Sequence, residues 1–107
     1  MKKIVPFLVL ATGSSDKTVK IWSLDGQLLY TISHHSKALL DVKFNNNGEY
    51  IYSCSEDSTI AQFNAVDGSL VYTYAGHNSC VYSIALTTDV TRLVSCSDDE
   101  SIKVWNT

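Results

Sequence analysis

Apolar and polar residues alternate in short runs along the chain, which is the pattern of half-buried β-strands. Two clear runs are Thr18–Trp22 and Ser101–Trp105, where valine and isoleucine alternate with polar residues. Asparagine–glycine or aspartate–glycine pairs, typical of tight hairpin turns, separate such runs at Asp25-Gly26, Asn47-Gly48 and Asp67-Gly68. The pattern therefore predicts an all-β chain of short antiparallel strands.

The same strand pattern occurs three times. Aromatic residues close the three copies at positions 22, 63 and 105, in steps of 41 and 42 residues. Leu28–Thr31 also aligns with Leu70–Thr73, and His35 aligns with His77, each at a shift of 42. Several unrelated positions share one register, which indicates an internal repeat of about 42 residues. The aligned segments are Ala11–Trp22, Tyr52–Phe63 and Val94–Trp105.

The best-formed copy contains Gly76-His77, a Ser-x-Ser-x-Asp turn that ends at Asp99, and the ending Ile-Lys-Val-Trp-Asn at 102–106. In these motifs and in their spacing the chain resembles the WD40 repeat, from about Leu8 to Asn106. The resemblance implies consecutive four-stranded antiparallel blades of a β-propeller, in an incomplete ring. It predicts a partial unit at 8–33 without its first strand, a complete unit at 34–74, and a partial unit at 75–107 without its last strand.

The resemblance also implies a buried hydrogen-bonded tetrad of tryptophan, serine or threonine, histidine and aspartate in each blade. The third unit matches it fully at His77, Ser95, Asp99 and Trp105. A buried indole N–H needs an acceptor, which a serine hydroxyl supplies, and an imidazole can bridge that hydroxyl to a carboxylate.

The other two units match the tetrad only in part. In the second unit Phe63 replaces the tryptophan, and because phenylalanine has no donor we expect an incomplete network and a softer blade. In the first unit the histidine position would precede Met1. The matching residues are His35, Ser53 and Asp57 in the second unit, and Thr12, Asp16 and Trp22 in the first.

Propellers bind partners mainly with the face that carries the aspartate turn, so the resemblance implies contact residues beside the tetrad. Tyr82 is the best anchor, because tyrosine is enriched at binding hot spots. Glu56 and Asp98 would make this face acidic and favour a basic partner segment. The full candidate set is Ser15, Ala38, Leu40, Glu56, Cys80, Tyr82 and Asp98.

Composition excludes several function classes. The chain has 107 residues, 45% of them hydrophobic, and a net charge of −3, which fits one folded domain rather than a disordered tail. Its eight lysines and arginines are scattered, so we expect no direct nucleic-acid contact. No apolar run approaches the roughly 20 residues that span a bilayer, and we expect no membrane association.

The three cysteines, Cys54, Cys80 and Cys96, do not form the pattern of a disulfide framework. We expect them to be small buried strand residues in a reducing compartment, which predicts an intracellular protein, cytoplasmic or nuclear. The start Met1–Ala11 resembles a secretory signal, but cleavage there would cut into the first repeat.

Serine, histidine and aspartate together also permit a hydrolase hypothesis, with Ser95, His77 and Asp99 or their counterparts in the second unit. The serine lies on a strand pattern, and no Gly-x-Ser-x-Gly elbow is present. A metal site at His34, His35 and His77 is disfavoured, because adjacent histidines on a strand point to opposite faces. We therefore predict a non-catalytic protein-interaction scaffold with no cofactor and no metal.

Two and a half units are fewer than the 4–8 blades of a closed propeller. The alternatives are a fragment of a longer WD-repeat protein without independent activity, a ring completed by association of several copies, and an open wedge covered by another subunit. The longer protein could belong to signalling, ubiquitin ligation or ribosome assembly. Within this chain alone we expect unpaired strand edges and an uncovered apolar face at both ends of the array.

Overall fold

The computed structural model describes residues 9–45, 48–89 and 91–107, and within these residues every regular element is a β-strand. The described residues contain no helix that is long and apolar enough to cross a membrane. Asn47 of one predicted turn, Leu8 and most of the signal-like start lie outside the described residues. The strands are β1 (Val9–Gly13), β2 (Thr18–Ser23), β3 (Leu28–Ser33), β4 (Leu39–Phe44), β5 (Tyr50–Ser55), β6 (Thr59–Asn64), β7 (Leu70–Ala75), β8 (Val81–Leu86), β9 (Arg92–Ser97) and β10 (Ile102–Asn106).

The strands form three antiparallel sheets in which sequence neighbours pair. The first sheet has the order β1-β2-β3, the second β4-β5-β6-β7 and the third β8-β9-β10. The predicted all-β fold with blades in an incomplete ring is confirmed. The register irregularities repeat as well: the β2–β3 pair shifts between Ile21 and Trp22, and the β6–β7 pair shifts at the equivalent Gln62 and Phe63.

The turns that carry the predicted aspartates share one strained conformation. Lys17, Ser58 and Glu100, each directly after the aspartate of its turn, have φ angles of 77°, 77° and 70°. L-residues other than glycine rarely adopt this left-handed region. The strain is offset by hydrogen bonds within each turn, such as Ser58 N–H to the Ser55 carbonyl at 3.2 Å.

Two apolar clusters hold the sheets face to face. Side chains alternate between the two faces of a strand, so Ile51 and Phe63 of the second sheet pack toward the first sheet, while Tyr52, Cys54 and Ile60 pack toward the third. The middle sheet is therefore covered on both faces. Its strands β5 and β6 contain no exposed residue. Burial therefore gives no support to the expectation that this blade is softer than the third.

No described residues cover the outer faces of the first and third sheets. Ile102 is 72% exposed, although its counterpart Ile60 is fully buried against the third sheet. Cys96 is exposed and Cys80 is half-buried just before β8, so the expectation of buried strand cysteines is wrong for both; no described sheet covers the face of Cys96. Cys54 occupies the equivalent position inside the array, and burial raises the pKa of its thiol to about 12.

The strands of each sheet run alternately up and down, so the turns lie at two opposite ends of the strands. The turns β1–β2, β5–β6 and β9–β10 and the connections β3–β4 and β7–β8 lie together at one edge, here called the motif edge. The turns β2–β3 and β6–β7 lie at the other, here called the opposite edge. All the predicted histidines and aspartates belong to segments at the motif edge.

Candidate functional site

The third sheet carries a continuous hydrogen-bonded chain of four side chains. Trp105 Nε1–H donates to Ser95 Oγ at 2.9 Å, and Ser95 Oγ lies 2.7 Å from His77 Nε2. His77 Nδ1 lies 2.9 Å from Asp99 Oδ2. The arrangement assigns the proton to Nδ1, which faces a carboxylate, and leaves Nε2 to accept from the serine hydroxyl. The four residues predicted for this unit are thus brought together.

The glycine before the histidine makes room for the indole. A Cβ at Gly76 would lie 3.0 Å from Cη2 of Trp105, closer than such contacts normally come. The Trp105 ring also packs edge-on against Tyr74 of β7, at a centroid distance of 5.6 Å. Gly76 therefore leaves space for the indole, and His77 next to it links Ser95 to Asp99.

Asp99 is held by more donors than the histidine alone. The Ser101 N–H donates to Oδ1 at 2.9 Å, and the Asn78 N–H donates to Oδ2 at 3.0 Å. Hydrogen bonds from the Ser101 hydroxyl and the Asn78 N–H hold the pKa of Asp99 well below its usual range. The carboxylate therefore stays ionised and ties the β7–β8 connection to the β9–β10 turn.

The second sheet repeats this geometry without the indole. His35 Nε2 lies 2.7 Å from Ser53 Oγ, and His35 Nδ1 lies 3.0 Å from Asp57 Oδ2. Asp57 also accepts from the Thr59 N–H at 2.9 Å. At the tryptophan position Phe63 packs into the apolar cluster between the first and second sheets. The network has three members, because phenylalanine offers no donor to Ser53.

Burial and hydrogen bonding shift the pKa values of His35 and Asp57 in opposite directions. Burial lowers the pKa of His35, and the hydrogen bond to Asp57 only partly offsets that effect. Burial alone would raise the pKa of Asp57, but hydrogen bonds from Thr59, Ser36 and His35 outweigh it and lower that pKa. The favoured state is a neutral imidazole beside an ionised carboxylate.

The first sheet has two separate pairs instead of one network. Trp22 Nε1–H donates to Thr12 Oγ1 at 2.9 Å, on the open outer face of the sheet. Asp16 is joined to neither residue; Lys20 Nζ donates to its Oδ2 at 3.0 Å, where a histidine does so in the other sheets. Hydrogen bonds from Thr18, Lys20 and Ser14 lower the pKa of Asp16.

The serines of the two complete Ser–His–Asp sets are buried. Ser53 and Ser95 lie within β5 and β9; each hydroxyl hydrogen-bonds to a buried histidine, and that of Ser95 also accepts from Trp105. A serine nucleophile must reach a substrate carbonyl and an oxyanion hole. This geometry supports a structural role for the sets and gives no access for hydrolysis.

The histidines do not lie as the sequence suggested. His34 and His35 fall in the β3–β4 connection rather than on a strand, and their rings are 5.4 Å apart. The argument from strand geometry was therefore wrong. His34 Nε2 lies 3.3 Å from Thr73 Oγ1, while His35 joins the buried network. The described residues show no group of three or more metal-ligating side chains.

The predicted partner-binding residues all lie at the motif edge. The Glu56 N–H donates to the Ala38 carbonyl at 3.0 Å, and the Asp98 N–H donates to the Cys80 carbonyl at 2.9 Å, so each pair is fixed in the same way. Ala38 and Cys80 are half-buried. The exposed members of the set are Ser15, Leu40, Glu56, Tyr82 and Asp98.

Tyr82 interacts with two carboxylates, Asp98 of its own sheet and Glu56 of the second sheet. Its hydroxyl hydrogen bonds to Asp98, which raises the pKa of Tyr82, and the negative charge of Glu56 acts in the same direction. The ring is 51% exposed. Glu56, Tyr82 and Asp98 form what is called the acidic rim below.

Sequence reasoning missed the hydroxyl residues that follow the aspartates. Thr59 Oγ1 donates to Asp57 Oδ1 at 2.6 Å and lies 3.3 Å from His35 Nδ1, and Ser101 has the same contacts in the third sheet. Thr18 donates to Asp16 likewise, at 2.6 Å. A hydroxyl recurs at this position in all three aligned segments, so the signal was present in the repeat.

These sheets and networks define a class of protein: consecutive blades of a β-propeller, each meeting its neighbour face to face and braced at one edge. The chain belongs to the WD40 family, described as "WD domain, G-beta repeat", which it matches over residues 6–23, 26–64 and 68–106.

The chain is also similar to part of several fungal nuclear distribution proteins. It is 41% identical to nudF of Aspergillus terreus over 51 residues, which are 48% of this chain and 11% of that protein. It is 47% identical to PAC1 of Tuber melanosporum over 57 residues, which are 50% of this chain and 13% of that protein. The alignments thus span a small fraction of the length of these relatives.

Replacing Trp105 by phenylalanine should destabilise the third sheet. The change keeps most of the ring but removes the N–H that donates to buried Ser95, and such a loss costs about 1–2 kcal/mol. Trp22→Phe is the matched control and should cost less, because water can reach Thr12 on the open face. Urea denaturation of both variants measures the difference. Unchanged stability of Trp105→Phe would contradict this description of the network.

Stability should fall as the pH falls, in two ranges. The pKa of His35 is lowered from its ordinary 6.5, so below about pH 6.5 the unfolded chain binds the proton first and the free energy of unfolding decreases. Because the pKa of Asp57 is also lowered, the unfolded chain again binds the proton first below about pH 3.8, and the free energy of unfolding decreases further.

Urea denaturation between about pH 7.5 and 4.5 tests the histidine contribution to this pH dependence. His35→Gln should show a weaker decrease over this range than the unchanged chain. An identical pH dependence in the two proteins would exclude His35 as its source.

Proposed function

We propose that this chain is a non-catalytic interaction platform that binds a basic segment of another protein at the acidic rim. The observation that carries the proposal is Tyr82, exposed at the motif edge and interacting with Asp98 and Glu56. An exposed aromatic ring supplies contact area, and the flanking carboxylates attract lysine and arginine. The buried serines support a platform over a hydrolase, because their hydroxyls are occupied inside the sheets.

The family supports the same conclusion in general terms. WD40 repeats are associated with protein interaction, and the similar fungal proteins are named for nuclear distribution. A role of that kind would place this chain inside the cell, in the cytoplasm or the nucleus.

The Tyr82→Ala variant tests the acidic rim. A fluorescein-labelled peptide of alternating lysine and serine should bind the unchanged chain saturably by fluorescence anisotropy, and more weakly as salt is added. We expect Tyr82→Ala and Asp98→Asn each to weaken binding about tenfold, as for one hot-spot contact.

Tyr72→Ala is the matched control for this experiment. Tyr72 is 57% exposed, close to the 51% of Tyr82, but it lies on β7 away from the acidic rim. Its substitution should leave the affinity unchanged. Equal losses for the two tyrosines, or no saturable binding, would overturn the acidic rim as a docking surface.

We further infer that the open faces are surfaces for a second copy of the chain. Val94, Ile102 and Val104 on the third sheet occupy the positions at which Tyr52, Ile60 and Gln62 of the second sheet contact the third. The outer face of the first sheet carries Thr12 and Trp22 where the third sheet carries Ser95 and Trp105. The open face of the third sheet therefore matches the second-sheet side of the interface between these two sheets. The open face of the first sheet matches the third-sheet side of the same interface.

Light scattering after size-exclusion chromatography tests this association. The unchanged chain should elute as a discrete oligomer, and Ile102→Lys should shift it to monomer because a charge would be buried at the contact. Leu24→Lys is the control, since Leu24 is exposed in the β2–β3 turn away from both open faces. A monomeric unchanged chain would exclude self-association; blades of a longer chain or another subunit would then cover these faces.

A further inference from the structure

An apolar groove opens between the first and second sheets at the opposite edge, far from the acidic rim. Its volume is about 420 Å³, within the range of pockets that hold ligands. Neither the family motifs nor the tetrads involve this groove. Its apolar lining consists mainly of Val9, Ile21, Leu29, Tyr30, Ala65 and Val66.

The walls of the groove are fixed to each other. The Tyr30 hydroxyl of the first sheet donates to the Ala65 carbonyl of the second, and the Ala65 N–H donates to the Glu49 carbonyl at 2.9 Å. The β6–β7 turn packs tightly on the Tyr30 ring: a Cβ at Gly68 would lie 2.9 Å from Tyr30 Cε2. A preformed groove binds without the cost of ordering its own walls.

An equivalent groove between the second and third sheets differs in chemistry. It has a similar volume, about 380 Å³, but Gln62 lies where the first groove has Ile21. Gln62 Oε1 accepts a hydrogen bond from the Tyr74 hydroxyl at 3.2 Å, which places a polar group in its lining. In the first groove the equivalent position is the apolar Ile21, and the exposed side chains at its mouth, Leu29 and Val66, are apolar too. The second groove has the polar Gln62 instead of Ile21.

The charged groups that the structure describes at the first groove are carboxylates. Among the described residues that line it, Glu49 is acidic and none is a lysine, arginine or histidine. Asp67 lies in the turn that packs on Tyr30, and its negative charge acts on the Tyr30 hydroxyl. Hydrogen bonds from the Ser69 N–H and hydroxyl lower the pKa of Asp67, so its charge persists at neutral pH. An occupant with basic residues beside its apolar side chains would complement this surface.

We propose that this groove binds a short segment of a partner protein in which adjacent bulky apolar side chains, such as leucines, are flanked by lysine or arginine. The apolar side chains fill the space above Ile21 and Tyr30, and the basic residues face Asp67. This second contact surface lies at the edge opposite the acidic rim, so it does not depend on the proposed function of that rim.

The probe is a fluorescein-labelled peptide with two leucines flanked by lysines, titrated against the 107-residue chain by fluorescence anisotropy. We expect saturable binding that weakens about tenfold when serines replace the leucines, and about tenfold when glutamates replace the lysines. Absence of saturable binding, or equal binding of the three peptides, would overturn the proposal.

The repeat provides a matched pair of variants. Leu29 and Val71 occupy equivalent positions in the two grooves and are 49% and 48% exposed. Leu29→Ser should weaken binding of the leucine–lysine peptide about tenfold, and Val71→Ser should leave it unchanged. Equal losses in both variants would overturn the assignment to the first groove.

Two further variants separate this site from folding defects and from the acidic rim. Val66 is 81% exposed in a turn, so Val66→Ser should preserve the melting temperature and still weaken binding. Tyr82→Ala should leave this peptide's affinity unchanged, whatever its effect on the basic peptide. Loss of leucine–lysine peptide binding in Tyr82→Ala, with no loss in Val66→Ser, would place the peptide at the acidic rim and overturn the groove.

Discussion

Face-to-face packing of sheets is the constraint on which the rest of this structure depends. Side chains alternate across each strand, so a sheet with apolar residues at successive positions has two faces to cover. The second sheet has a neighbour on both sides and buries Ile51 toward one and Tyr52 toward the other. The first and third sheets each have one neighbour among the described residues. Burial of the middle sheet and exposure of Ile102 follow from this single arrangement.

The histidine networks explain why the two edges of the array differ. His35 lies in the connection that enters the second sheet and bonds both to Ser53 on β5 and to Asp57 in the β5–β6 turn. The motif edge is thereby tied together by charge-assisted hydrogen bonds, which are stronger than neutral ones. At the opposite edge the first and second sheets are joined by Tyr30 and Ala65 instead. The groove opens beside that contact, and both residues line it.

The sequence allowed prediction of features that recur at one spacing. Strand periodicity, glycine turns and the Ser–His–Asp positions each depend on residues within one unit, so they were visible without a structure. Features that depend on contact between units were not. Exposure of Cys96 depends on which sheet covers its face, which the repeat alone does not reveal. The groove joins β1–β3 residues to the β6–β7 turn, which no alignment of the repeats places together.

Specific binding must reside where the repeats differ, because identical positions serve the shared scaffold. Tyr82 replaces the Leu40 of the preceding unit at the motif edge, and Ile21 replaces Gln62 at the opposite edge. The first difference changes an exposed side chain and the second changes the buried base of a groove, while the backbone register around each is kept. A substitution at such a position can alter recognition without loss of the fold, whereas one at His77 or Ser95 affects the fold first. The repeat thus separates the residues that build the array from those available for binding.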